Sequence, residues 1–155
     1  IPYYITSPIL RHFLYETEIK PSYMIILMQD DVGQKILWKG KNKSSVLSLF
    51  IEKKCFVSEI IKVPKECFVP APKIESSVLM FESHDNYNHV NDEEFLKLIK
   101  IGFAEPRKKL SKNLIKGWFT KEIVTQVFEK LELWENTRWE DLDIELWIAL
   151  NKQLS

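Results

Sequence analysis

The architecture of this chain is indicated most clearly by the run Pro21-Ser22-Tyr23-Met24-Ile25-Ile26-Leu27-Met28-Gln29-Asp30-Asp31. Its six central residues are continuously apolar, and turn-forming or polar residues bound them on both sides. A short apolar run of this kind is typical of a strand buried on both faces, as in the sheets of α/β proteins. We therefore predict a strand here and an α/β fold for the first part of the chain.

Further elements are predicted around this strand. Ser7 followed by Pro8 indicates a helix start, because serine can cap free amides and proline needs no donor at the first helical position. Residues 31–37 and 45–52 predict two short helices, with a polar loop at residues 39–43 between them. Residues 54–63 and 76–82 predict two more strands, because the proline-rich segment between them cannot continue a sheet ladder. This pattern is that of the second half of a doubly wound sheet ending in a hairpin pair.

A polar, turn-rich stretch at residues 83–91 predicts a domain boundary. Beyond it the apolar residues recur at helical spacing, with Asn91, Thr120 and Asp143 as predicted helix caps and with Pro106 and Gly117 interrupting the pattern. We therefore expect an α/β domain over residues 1–84, followed by a small all-α domain of four short helices over residues 85–155.

Composition excludes several classes of protein. The 155 residues include 22 basic and 22 acidic side chains, so no overall charge indicates a polyanionic partner. Cys55 and Cys67 are too few and too far apart for a disulfide framework, which favours a reducing, cytoplasmic setting. His12, His84 and His89 lack the spacing of a metal motif, so we predict no metal site. No apolar run approaches the roughly 18 residues needed to span a bilayer, and we expect no membrane association.

Charge is nevertheless uneven along the second half of the chain. Residues 107–121 contain six basic and no acidic side chains, whereas acids dominate residues 122–145. A basic stretch of this kind could contact phosphates, or it could be an ordinary solvated helix face.

Two segments contain the candidate chemistry. The chain begins Ile1-Pro2-Tyr3-Tyr4, and later it continues Cys67-Phe68-Val69-Pro70-Ala71-Pro72-Lys73-Ile74-Glu75-Ser76-Ser77. The prolines restrict the backbone of the second segment and so reduce the entropy lost when its aromatic side chain is held in one place. A core tyrosine and a buried loop anchor are the alternatives for Tyr3 and Phe68 taken singly.

The beginning of the chain resembles the end of the Asn-(Leu/Ile)-Pro-(Tyr/Phe) motif of the rRNA adenine dimethyltransferases. This family includes the small-subunit rRNA dimethyladenosine transferases and the erythromycin-resistance methylases. The run that begins at Phe68 is similar to the family's Phe-x-Pro-x-Pro-x-Val-x-Ser loop. The resemblance implies that Pro2, Tyr3 and Phe68 belong to the catalytic site, with the two rings on opposite faces of the target adenine. The motif asparagine would precede Ile1.

A third match is the run Phe103-Ala104-Glu105-Pro106-Arg107-Lys108-Lys109-Leu110-Ser111-Lys112-Asn113-Leu114. It is similar to the family's Phe-x-x-Arg-Arg-Lys-Thr-Leu-x-x-x-Leu segment, which is more typical of the small-subunit enzymes. The resemblance implies contacts with RNA from Arg107, Lys108, Lys109 and Lys112. Two departures stand out, because Pro106 replaces the first arginine and Lys109 replaces the threonine.

From this resemblance we expect the second half of a Rossmann-like class I methyltransferase sheet, followed by a helical RNA-binding domain. Ile1 is then an internal position of a longer polypeptide, and the half that binds S-adenosylmethionine lies upstream. Since the chain has 4 glycines and no glycine-rich turn after a strand, we expect that it neither binds this cofactor nor is active by itself.

The whole protein is expected to be a cytoplasmic monomer that dimethylates adenosines of small-subunit rRNA in the immature small ribosomal subunit. Two alternatives remain open. One is a non-catalytic RNA-binding or ribosome-assembly module, and the other is a resistance-type adenine methylase of large-subunit rRNA.

Overall fold

The computed structural model describes residues 5–37 and 45–155 of the chain. The helices in these ranges are α1 (Thr6–Arg11), α2 (Asp30–Leu37), α3 (Val46–Glu52), α4 (Asp92–Gly102), α5 (Leu110–Lys116), α6 (Lys121–Lys130) and α7 (Ile144–Leu154). The strands are β1 (Tyr23–Gln29), β2 (Cys55–Val63) and β3 (Ser76–Ser83). A π-helical turn at His12–Glu16 extends α1, and 3-10 turns lie at Lys65–Cys67 and Trp139–Asp141. The predicted polar loop at residues 39–43 lies outside the described residues.

The three strands form an antiparallel sheet in the order β1-β3-β2. Ser76, the first residue of β3, lies opposite both Gln29 at the end of β1 and Val63 at the end of β2. The connection between β2 and β3, residues 64–75, therefore begins and ends at the same edge of the sheet as the carboxyl end of β1. This register places the proline-rich loop beside that end.

The predicted strand at residues 23–28 is confirmed as β1, but the prediction that both of its faces are buried is wrong for the residues described. Ile26 and Met28 are buried, whereas the side chains of Tyr23 and Ile25 on the other face are more than half exposed. The reason is that the packed core around residues of α1, α2 and α3 lies against one face of the sheet. An apolar run alone does not distinguish one covered face from two.

The helix predicted to start after Ser7 begins earlier in the chain. Helix α1 begins at Thr6 after Ile5, and no side chain caps its first amides. Pro8 lies within the first turn, where a missing donor costs no helical hydrogen bond. By contrast, α3 begins as predicted, because the hydroxyl of Ser45 accepts from the amide of Ser48 at 3.0 Å.

In the helical half, three helix starts and one helix end lie where the sequence predicts them. The side chain of Asn91 accepts from two amides at the start of α4, Thr120 accepts from the third residue of α6, and Asp143 accepts from Leu146 in α7 at 2.9 Å. Helix α5 ends at Gly117. The four predicted helices of this half are α4 to α7, while the boundary at residues 84 and 85 stays a prediction.

Helix α3 contributes to both hydrophobic cores. Its Ile51 packs in the sheet core, whose buried members are Leu10, Leu14, Ile26, Met28, Ile36, Ile51, Cys55, Leu79 and Phe81. Its Leu49 packs instead among the helices α4 to α7, around the fully buried side chains of Phe95, Leu110 and Trp147. The two cores therefore meet at α3.

A group of three charged side chains links the end of α3 to the start of α4. The fully buried Lys53 donates to the carbonyl oxygen of Val90 at 2.9 Å and forms an ion pair with Asp92. Lys54 donates to the other carboxylate oxygen of Asp92 at 3.0 Å. Burial opposes ionisation of Asp92, but the hydrogen bonds from Lys53 and Lys54 outweigh it and lower the pKa of the carboxyl group. Burial also lowers the pKa of the Lys53 ammonium group.

Candidate base-binding and RNA-binding site

Phe68 is placed by a tight turn in the connection between β2 and β3. The turn Lys65–Cys67 ends at Phe68, whose amide donates to the carbonyl oxygen of Lys65 at 3.2 Å. The far end of the connection is tied to α2, because the amide of Asp30 donates to the carbonyl oxygen of Glu75 at 3.0 Å. Phe68 is half-buried, so part of its ring remains available to a ligand.

The loop that follows Phe68 presents apolar surface. Val69 is fully exposed and Ile74 is exposed, and the peptide bond between Val69 and Pro70 is cis. Pro70 and Pro72 fix their own backbone angles near −65°, which limits the number of conformations available to the loop. A short, stiff, partly apolar loop of this type suits contact with the flat face of a base.

Pro2 and Tyr3 lie outside the described residues. The distance between the rings of Tyr3 and Phe68 is therefore not among the described contacts, and the pairing of the two rings around one base stays a prediction.

A cluster of polar side chains lies near the same edge of the sheet, around Asp30 at the start of α2. The carboxylate of Asp30 pairs with Lys62 at 3.3 Å and accepts from the Gln34 amide at 3.1 Å. The same Gln34 amide donates to Glu59 at 3.2 Å. Asp30 directly follows strand β1, so the register of the sheet places its carboxylate beside the connection between β2 and β3. These groups supply hydrogen-bond acceptors beside the Phe68 loop.

The basic turn, which we define as residues 103–109, holds two of the four predicted RNA-binding side chains in ion pairs. Lys108 and Lys116 both contact the carboxylate of Glu105 at 2.6 Å, and their hydrogen bonds lower the pKa of Glu105 to about 2. Lys109 pairs with Glu135 at 2.9 Å, which lowers the pKa of Glu135.

Arg107 and Lys112 differ from Lys108 and Lys109. Both side chains are solvent-accessible, and neither forms an ion pair within residues 5–37 and 45–155. The four predicted cations thus divide into two that form ion pairs with carboxylates and two that form none among the described residues.

The carbonyl oxygen of Pro106 accepts two hydrogen bonds from a distant part of the chain. Arg138 donates to it through Nη2 at 2.6 Å and Trp139 through its indole nitrogen at 3.1 Å. The ring of Trp139 also packs on Phe103, with centroids 4.3 Å apart. Arg138 therefore brings a guanidinium group to the basic turn at Pro106, the residue that replaces the first arginine of the family's segment. The sequence pattern did not indicate this contact between Arg138 and Pro106, since the two residues are 32 positions apart.

The described residues do not fit a cofactor cradle. Gly33 lies within α2, Gly102 ends α4 and Gly117 follows α5, so none of these three glycines is at a turn from strand to helix. Among the described residues there is also no group of three or more potential metal ligands. No helix in the described part of the chain is long and apolar enough to cross a bilayer.

Known structures share this fold. A dimethyladenosine transferase from Plasmodium falciparum superimposes with a TM-score of 0.82 at 22% sequence identity, covering 99% of this chain and 65% of that one. The 23S rRNA methyltransferase ErmE superimposes with a TM-score of 0.72 at 18% identity, covering 99% of this chain and 62% of that one. At these identities the likeness establishes the fold.

The family model described as Ribosomal RNA adenine dimethylase matches residues 1–155, and the chain belongs to this family. The predicted family is thereby confirmed. The Ribosomal RNA small subunit methyltransferase A of Crocosphaera subtropica is 34% identical over 161 residues, which cover 100% of this chain and 59% of the relative. The protein of the same name from Fusobacterium nucleatum is 31% identical, with 98% and 58% covered. The chain thus spans somewhat less than two thirds of these relatives.

Proposed function

We propose that this chain is the adenine-holding and RNA-binding part of an rRNA adenine N6,N6-dimethyltransferase that modifies small-subunit rRNA during ribosome biogenesis. The family match over residues 1–155 carries the proposal. The names of the curated relatives support the choice of the small subunit. The position of the Phe68 loop at the carboxyl end of β1 supports a role in holding a ligand, because ligands of open α/β sheets bind outside the carboxyl ends of the strands.

In this proposal Tyr3 and Phe68 stack on opposite faces of one adenine, next to Pro2. The amino group of adenine is a poor nucleophile because its lone pair is delocalised into the ring. Holding the base flat and accepting hydrogen bonds from the amino group prepares it for attack on a methyl group. The methyl group is supplied by S-adenosylmethionine, which the described residues do not fit. We therefore assign to this chain the binding and orientation of the base only.

Arg107 of the basic turn and Lys112 of α5 are the proposed phosphate contacts, together with Lys108 and Lys109, which form ion pairs with carboxylates. A phosphate contact releases condensed counterions, so each one contributes about 0.7–0.9 to the slope of log K against log salt. Lys112→Glu should therefore flatten that slope without changing base preference. An unchanged slope would return Lys112 to the role of an ordinary solvated side chain.

The stacking role is tested with the whole gene expressed and tritiated methyl transfer measured on immature small subunits. Phe68→Ala should lower the transfer rate by more than tenfold, since a stack in the middle of the range of roughly 1–3 kcal/mol corresponds to about thirtyfold. Val69→Ala is the matched control, because it truncates the adjacent, fully exposed apolar side chain. A loss of less than tenfold for Phe68→Ala would count against stacking. Methylation of large rather than small subunits would favour the resistance-type alternative.

The isolated 155-residue chain should not bind S-adenosylmethionine and should be inactive. Isothermal calorimetry with the purified chain tests this directly, and micromolar affinity would contradict it. Size-exclusion chromatography with light scattering on the whole protein tests the expected monomer.

A further inference from the structure

Trp118 occupies a backbone position that favours glycine. It follows the last residues of α5 with a φ of 109°. The amide of Phe119 donates back to the carbonyl oxygen of Leu114 at 3.2 Å, which is the hydrogen bond of a common helix ending. The residue at the position of Trp118 in this ending is usually glycine, because a side chain there is strained.

Burial does not account for a tryptophan at this position. Its side chain is 86% exposed, so it fills little of the core. Helix α6 ends in the same way at Glu132, with a φ of 53° and a hydrogen bond from Leu133 to Phe128 at 2.8 Å. The same backbone ending is therefore made in this chain without an aromatic side chain.

The indole lies over the exposed side of α4. The ammonium group of Lys97 is 5.9 Å from the centroid of the ring, which is within the range of a cation–π contact. Grooves lie on both sides of Trp118, and Lys97 and Ile101 line both of them. Lys100 lines one of the grooves, and neither Lys97 nor Lys100 forms an ion pair with the described residues.

These grooves are continuous with the basic turn. Ile101, Ala104 and Gly117 also line the next cavity, which reaches Glu105 and Lys116. Residues 96–121 carry eight basic side chains and one acidic one, and that acid is the ion-paired Glu105. Two further carboxylates, of Glu93 and Glu94, line the opposite end of the grooves, at the start of α4.

We propose that Trp118 is a stacking platform for an unpaired base of the bound RNA, with Lys97 and Lys100 on the flanking phosphates. The inference rests on the proposed RNA-binding function and extends the RNA surface from the basic turn to α4. An exposed aromatic ring between cations is the arrangement by which proteins hold single-stranded nucleic acids without reading their sequence. Strain retained at a position where glycine would remove it is typical of functional residues.

The test is fluorescence anisotropy of the purified chain with a labelled single-stranded adenosine oligonucleotide and with a blunt RNA duplex. Trp118→Gly should weaken binding of the single strand about tenfold and affect the duplex much less. The same variant should melt at the same temperature as the wild type or higher, since glycine accommodates the backbone angle. Trp118→Phe should retain most of the affinity.

Two control variants separate stacking from other effects. Glu132→Gly makes the equivalent change at the end of α6, and Trp134→Ala removes a tryptophan that is 80% exposed outside the grooves. Both should leave the affinity for the single strand unchanged. Trp118→Asn is a second variant with a non-aromatic side chain that tolerates a positive φ, and it should weaken binding of the single strand as Trp118→Gly does.

The outcomes distinguish this proposal from the proposed function. If Lys112→Glu weakens binding while Trp118→Gly and Trp118→Asn do not, RNA binding stands and the stacking platform is refuted. Absence of any RNA binding by the wild-type chain would overturn both. A large loss of thermal stability in Trp118→Gly would show a structural role for the indole and would also refute the platform.

Discussion

Removing the carboxylate of Asp92 should destabilise the chain strongly, because it leaves the buried ammonium group of Lys53 without its counter-ion. Breaking a buried ion pair by removing one partner typically costs about 3–5 kcal/mol. Lys53 is 0% exposed, but the Asp92 side chain is 34% exposed and is partly screened by water, so the lower end of the range applies. We expect Asp92→Asn to lower the free energy of unfolding by about 3 kcal/mol.

Equilibrium urea unfolding and thermal melting followed by circular dichroism measure this effect. For a chain of this size each kcal/mol corresponds to about 2–4 °C, so Tm should fall by about 6–12 °C. The matched control is Glu16→Gln, which makes the same charge change in an exposed ion pair. The side chain of Glu16 is 48% exposed and that of its partner Arg11 is 61% exposed. That change should cost less than about 1 kcal/mol.

The double variant Lys53→Met, Asp92→Asn tests the electrostatic cause. Methionine fills the buried space of Lys53 without a charge, and the new amide side chain at position 92 would still offer an acceptor to Lys54. At least half of the lost stability should therefore return.

The pKa of Asp92 lies below its ordinary value of 3.8, so its contribution to stability is fully present above pH 3.8 and is lost as the pH falls below it. The difference in the free energy of unfolding between the wild type and Asp92→Asn should therefore become smaller as the pH falls below 3.8. A cost for Asp92→Asn no greater than that for Glu16→Gln would refute the reasoning.

Three further predictions follow from the packing and from the basic turn. A Cβ atom at Gly102 would lie 2.3 Å from the buried ring of Trp147, so Gly102→Ala should cost about 1–3 kcal/mol in urea unfolding. A Cβ atom at Gly33 would lie 2.4 Å from the buried hydroxyl oxygen of Ser77, which has no partner among the described residues. Gly33→Ala should therefore be destabilising in the wild type and much less so in Ser77→Ala, and a double-mutant cycle measures this coupling. Glu105→Gln should free its two lysine partners for phosphates and tighten RNA binding in the anisotropy assay, and weaker binding would contradict this.

The features that the sequence predicted correctly are local ones. Asn91, Thr120 and Asp143 cap helices through hydrogen bonds that span only two or three residues, so the pattern contains both partners. The same holds for the end of α5 at Gly117. The failure at Ser7 is informative, because a cap also requires an extended backbone, and α1 already includes that residue.

The sequence by itself determined the strands, the caps at Asn91, Thr120 and Asp143, the family and the proline-rich loop that follows Phe68, because each is specified by short runs of residues along the chain. Only the tertiary structure decided that one face of β1 is open, that Lys53 is buried beside Asp92, and that Arg138 reaches the carbonyl oxygen of Pro106. It also decided which cations of the basic turn are already paired with carboxylates. The physical reason is that burial and ion pairing depend on which distant segments pack together, and the spacing of residues along the chain does not specify those contacts.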